Sequence, residues 1–157
     1  GLASAVLPLD GTRRSWRRRV PDDAQRVVVD TPAGATGDAL EPFLDQADAV
    51  LVPVQPSVLD MEATARFIEA LARHPRVRSG RLPLGLVGNR LKPHTTASQQ
   101  AIEQLRGWPV PLVAQVRDSQ AYVVLTGLGK SLFDYSSAQV RDHQADWQPL
   151  LDWLDHA

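Results

Sequence analysis

The sequence contains no cysteine. That excludes disulfide scaffolds, cysteine-ligated zinc and thiol catalysis, and it fits a reducing cytoplasm, the location expected here. Net charge is nearly absent as well, because 17 basic residues face 18 acidic ones. A chain so balanced is not, as a whole, an electrostatic binder of nucleic acid. Long hydrophobic runs are missing: each apolar stretch lasts only a few residues, whereas a membrane-spanning helix needs about 20. No secretory signal is visible. His74, His94, His143 and His156 are scattered without metal-ligand spacing, and no Ser-His-Asp arrangement stands out.

What is present is ordinary for one globular domain: 157 residues, 43% apolar and 22% charged. A chain of this length can bury a real core. Four short runs are apolar almost throughout: Arg26–Asp30, Ala49–Val54, Leu82–Val87 and Pro111–Val116. Continuous apolarity, instead of alternation, marks strands buried on both faces of a parallel sheet. Ala5–Leu9 is a weaker candidate. Helical periodicity fills the spaces between. Residues 58–74 put Met61, Ala65, Ile68 and Leu71 on one face, with Ser57 or Asp60 at the start. Residues 95–106 turn Ala101, Ile102 and Leu105 inward and stop at Gly107. Residues 137–155 carry Trp147, Leu150, Leu151 and Leu154 on one stripe. Strands alternating with helices predict a three-layer α/β fold, a mainly parallel sheet with helices on both faces.

In such folds ligands gather beyond the carboxyl ends of the strands. Asp30 ends the first run, and Thr31-Pro32-Ala33-Gly34 then turns. An Asp here can hold Mg²⁺, directly or through water, while the glycine leaves backbone N–H groups free for a phosphate. It can equally cap a βα turn. Gln55 follows the second run between two prolines, as a polar group at the sheet edge or as loop geometry alone. Asn89 follows the third run; a side-chain amide there can read a purine edge, or simply make a turn. The segment Thr126–Tyr135 includes Gly129-Lys130-Ser131, the ending of a P-loop. The loop's first glycine would fall at Val124, so the triplet reads better as a helix end at Gly127 or Gly129 leading into a connector. Residues 121–125 before it suit a short strand or an amphipathic helix, and Leu132–Tyr135 an extended piece.

Taken in order, VVVDTPAG, ADAVLVPVQPSVLDMEA, LGLVGNR and QVRDSQAYVVLTGLGKSLFDY resemble the ParA/MinD family of deviant P-loop ATPases, most closely short ParA-type partition proteins. The resemblance covers Val27 to Leu154. It implies a P-loop NTPase-like fold that binds ATP and Mg²⁺. It assigns Asp30 to the Walker B and switch II position, as the catalytic residue and as the one that serves Mg²⁺ through water, with Thr31, Pro32 and Gly34 in the switch that senses the γ-phosphate. It places Asn89 at the adenine, Arg90 beside it, and Arg117 and Asp118 in the second wall of the base pocket. Asp-Thr-Pro-Ala-Gly stands where the family usually has Asp-x-Pro-Pro-Gly, and Gln115-Val116 where many relatives have Ile-Pro.

The family's P-loop has no counterpart in Gly1–Val29. The expectation is an N-terminally truncated ParA-like domain. It is a fragment of a longer ATPase, a scaffold that has lost its front, or a chain that dimerises through the gap; the first is favoured. Such a chain is not expected to hydrolyse ATP alone, nor necessarily to hold a nucleotide. The family's activity would be partition of DNA or cargo, with ATP closing a homodimer, non-specific DNA binding to that dimer and a ParB-like adaptor triggering hydrolysis. The alternative is a non-catalytic ParA-fold interaction module. Thr12–Val20 holds five arginines around Trp16. Arg17, Arg18 and Arg19 are either a DNA patch or the solvated face of a helix that packs Trp16 and Val20. No membrane partner is expected, since the last helix carries Asp146, Asp152 and Asp155 and few basic residues.

Overall fold

The computed structural model describes residues 7–9, 16–31, 34–35 and 37–157. Three of the four strong runs form strands: β1 (Val50–Val54), β2 (Leu84–Leu91) and β3 (Leu112–Arg117). They form one sheet in the order β1-β2-β3, parallel at both pairings. Helix α1 (Glu41–Leu44) precedes β1, and α2 (Val58–Leu71) and α3 (Pro75–Arg78) connect β1 to β2. Helix α4 (Thr96–Arg106) connects β2 to β3, and α5 (Gln120–Gly127) and α6 (Ala138–Leu154) follow. The architecture is mixed α/β on a parallel sheet. No helix among the described residues is long and apolar enough to cross a membrane.

The sheet separates two apolar clusters because neighbouring strand residues face opposite sides. Val52, Val54, Leu84 and Leu86 pack with Met61, Ile68 and Leu71 of α2 and Ala101 and Leu105 of α4. Leu51, Val87, Val113 and Val116 pack instead with Trp147, Leu150, Trp153 and Leu154 of α6. Val54 and Leu86 are fully buried, and full burial of such a side chain stabilises by about 2 kcal/mol. On α2 the buried stripe is Met61, Thr64, Ile68 and Leu71, so Thr64 takes the place expected for half-buried Ala65. Thr64 is satisfied there, its hydroxyl donating to the Asp60 carbonyl at 2.8 Å.

Caps explain the helix starts. Ser57, Thr95 and Ser119 each accept a backbone N–H of the first turn, of Asp60, Ser98 and Ala121 respectively. Such caps contribute about 1 kcal/mol each.

The run Arg26–Asp30 is not a strand: this stretch is irregular and solvent-exposed, with Val28 at 91% exposure. Chemistry at the neighbouring edge gives a reason. Val50 N–H donates to Pro83 O, so Val50, Val52 and Val54 turn toward β2 while Leu51 and Pro53 turn outward. Pro53 has no N–H, and a strand that carries proline on its outer side is suited to be a sheet edge. Arg26 instead reaches Asp155 at the end of α6, at 2.7 Å. The weaker run Ala5–Leu9 lies partly outside the described residues, and its residues 7–9 are irregular.

Candidate functional site

β2 runs four residues further than its apolar pattern suggests, through Asn89 and Arg90 to Leu91. Between Gly88↔Gln115 and Leu91↔Arg117 it carries one more residue than β3, which makes a bulge. Arg90 occupies the left-handed region with φ 54°, unusual for a residue with a Cβ. Its N–H donates to the Asn89 side-chain oxygen at 2.9 Å, which holds the bulge in place. Bulges re-aim side chains next to sites, and this one turns the Arg90 guanidinium toward the exit of β3. Arg90 Nε lies 3.4 Å from Asp118 Oδ1, and Lys92 Nζ 3.9 Å from Asp118 Oδ2. Asp118 is itself fixed by its N–H, which donates to Leu91 O at 2.8 Å.

An open cavity of about 410 Å³ lies at this carboxyl end of the sheet. Gln55 and Ser57 line it from the β1 exit, Arg90 and Lys92 from β2, Ser98 from α4, and Asp118 from the β3 exit. The wall from Lys92 to Ser98 is cross-linked: Ser98 Oγ accepts from Lys92 N–H at 2.9 Å, and Thr95 Oγ1 donates to Lys92 O at 2.8 Å. Ser98 is 1% exposed, so its hydroxyl is part of the frame. The capped starts of α2 and α4 both open on the cavity. Their partial positive charge adds to two cations facing one carboxylate. The site therefore favours an anionic or electron-rich ligand.

The structure brings Arg90 and Asp118 together and leaves others of the sequence-predicted set elsewhere. Asn89 is half-buried at the bulge and is not part of the cavity wall. The Arg117 side chain is held by α6. Its Nε and Nη2 donate to the two Asp146 carboxylate oxygens, each at 2.7 Å, and its N–H also donates to Asp146. That hydrogen bond raises the Arg117 pKa above its ordinary value. Asp30, Thr31 and Gly34 are exposed and do not line the cavity, and Pro32 lies outside the described residues. Among the described residues no group of three or more His, Asp or Glu side chains is placed to hold a metal ion. Arg17, Arg18 and Arg19 are exposed on a 3-10 turn, Trp16–Arg19, whose Trp16 stacks on Phe43 at 6.4 Å.

Gly129-Lys130-Ser131 closes a helix. Gly129 has φ 64°, its N–H donates to Thr126 O, and Lys130 N–H donates to Leu125 O. This is a Schellman ending of α5, so residues 121–125 are helical. Ser131 then caps a 3-10 turn at Leu132–Asp134, where an extended piece was expected. These backbone N–H groups are bonded within the fold and are not arrayed toward a phosphate. The lining residues Lys92, Thr95 and Ser98 were not singled out by sequence. The signal for them was Thr95 three residues before Ser98, a helix start just after a strand.

No protein-family model matches the chain, and no curated protein matches it.

Proposed function

We propose that the chain is a ParA/MinD-type nucleotide-binding domain with the P-loop NTPase-like strand order, and that its cavity takes the base and ribose end of ATP. The observation that carries this reading is the convergence of three strand exits on one cavity. Gln55 follows β1, Arg90 stands at the end of β2 and Asp118 follows β3. The resemblance implies base-pocket roles for Arg90 and Asp118, and both line this cavity. In this reading the phosphates and Mg²⁺ lie toward Asp30 and outside the cavity, and the chain alone does not turn ATP over. Dimerisation, a ParB-like adaptor and non-specific DNA are the partners that go with it. Titration calorimetry with ATP and Mg²⁺ tests it. Saturable binding that an Arg90→Ala/Asp118→Ala variant weakens at least about tenfold, some 1.4 kcal/mol, is expected. A parent chain silent to ATP at millimolar concentration would sink the reading.

A second reading, a non-catalytic interaction module of the same fold, is favoured by α5. No residue of this helix is buried, and Val123, Val124 and Leu128 are exposed, with Phe133 just beyond. Exposed apolar patches of this kind mark contact surfaces. A chain that binds no ATP but self-associates, with Val124→Asp abolishing the association, would favour it.

A further inference from the structure

A second open cavity, of about 350 Å³, lies between α4 and β3. Gln99, Ile102, Glu103 and Arg106 of α4 form one wall, and Gln115 of β3 forms the other. Spacing makes the helical wall, because residues at i, i+3, i+4 and i+7 share a face. That face flanks the buried stripe of Ser98, Ala101 and Leu105, which seats α4 on the sheet. Gln115 turns toward α4 because its neighbours Ala114 and Val116 pack into the opposite cluster, under α6. The Gln115 backbone also faces outward. Asp118 N–H donates back to β2, at Leu91 O, so alternation along β3 turns Arg117 and Gln115 to the outer edge. Among the described residues no strand pairs with that edge.

We infer that this groove is a binding site for a free α-amino acid in its zwitterionic form. Glu103 and Arg106 are exposed, and the ion pairs among the described residues use neither. Opposite charges three residues apart on a helix can reach each other; here both side chains line the cavity instead. A lone anion in the groove would meet Glu103, and a lone cation would meet Arg106, so each would be repelled as well as attracted. A zwitterion satisfies both groups. Its carboxylate takes the guanidinium fork of Arg106, and its ammonium donates to the Glu103 carboxylate. The ligand's own side chain then lies against Ile102 and the two glutamine amides, which suits an uncharged amino acid. Gln99 is steadied for this, since its Nε2 donates to Pro93 O at 3.3 Å. The volume is at the small end of ligand sites, in keeping with so small a molecule. An added peptide strand fits less well. Asp146 already accepts the Arg117 N–H at 3.2 Å, so a strand laid on this edge could not continue its ladder past Gln115.

The inference stands apart from the nucleotide reading, because the two cavities share no lining residue. Its test is amide chemical-shift mapping on the nucleotide-free chain, titrated with L-glutamine and, separately, with L-leucine. At least one of the two is expected to give saturable shifts at Glu103, Arg106 and Gln115, with a Kd of about 1 mM or below. For L-glutamine, the N-acetyl derivative lacks the ammonium and the α-amide lacks the carboxylate; for L-leucine the same two derivatives serve. Each blocked form should bind at least about tenfold more weakly than its parent amino acid. Glu103→Gln and Arg106→Gln should each weaken binding to a similar extent. Both residues are exposed, so these variants should fold as the parent does. Arg90→Ala/Asp118→Ala should bind the amino acid as the parent does. No saturable shift with either amino acid up to about 10 mM, blocked forms that bind equally, or Glu103 and Arg106 variants that bind like the parent would overturn the inference. Loss of binding in the Arg90/Asp118 variant would move the ligand to the other cavity and overturn it as well.

Discussion

Residues 26–30 and 84–88 are similar as sequences and opposite as structures. Val27-Val28-Val29 ends in an Asp; Leu84-Gly85-Leu86-Val87 ends in Gly88-Asn89. The second is the central strand, with every residue from Leu84 to Gly88 buried, and the first is exposed. Propensity favours the triple valine, so propensity did not decide. Leu84–Gly88 has a parallel neighbour on each edge and a helical layer against each apolar face. The valine run pairs with no strand of the described residues. An apolar run records a capacity for burial, and neighbours convert it into a strand.

Substitutions can break or sharpen this contrast. Leu86→Ala, at a site with no exposure, is expected to cost about 3 kcal/mol in urea unfolding. Val28→Ala is expected to change stability by less than about 0.5 kcal/mol; a cost near that of Leu86→Ala would mean that the run is buried after all. Gly85→Ala is next. A Cβ there would sit 3.0 Å from Val113 and 3.2 Å from Trp153, and overpacking of this kind costs about 1–3 kcal/mol. Thermal melts that leave Gly85→Ala unchanged would show that α6 does not press on β2.

The two arginine contacts to α6 give a smaller contrast. Asp146 is 11% exposed and doubly bonded to the Arg117 guanidinium, whereas both members of Arg26–Asp155 are 60% exposed. Asp146→Asn is expected to cost about 1–2 kcal/mol, and Arg26→Ala less than about 1 kcal/mol. Equal costs would place the Arg26 tether on a par with the interior brace.

The smallest effect concerns alkaline pH. Burial, the main cause, raises the Tyr122 phenol above its ordinary value, against the hydrogen bond from Trp147 Nε1 at 2.9 Å. A raised native pKa favours the neutral form. Its stabilisation is fully present below about pH 10 and is lost as pH climbs through the native value. The loss should be visible by ultraviolet titration and absent in Tyr122→Phe.

Much of the frame was legible. β1, β2 and β3 lie where continuous apolarity put them, and the stop of α4 at Gly107 and the cap at Ser57 follow local chemistry. Three features were not. The extension of β2 through Arg90 depends on a bulge in which Asn89 holds a left-handed arginine, and no periodicity announces that. The Arg117 side chain sits at a strand exit, and only the register of α6, which presents Asp146, takes it from the cavity. Glu103, Arg106 and Gln115 were visible as composition, but their meeting in one groove needed α4 and β3 in place.

The central claim is that the strand exits of β1, β2 and β3 form a nucleotide site while Gly129-Lys130-Ser131 does not. Amide chemical-shift mapping during a titration with ATP and Mg²⁺ tests it most directly. The account predicts saturable shifts at Gln55, Arg90, Lys92 and Asp118, with Gly129 to Ser131 unmoved. Shifts centred on Gly129 to Ser131, or none anywhere, would contradict it.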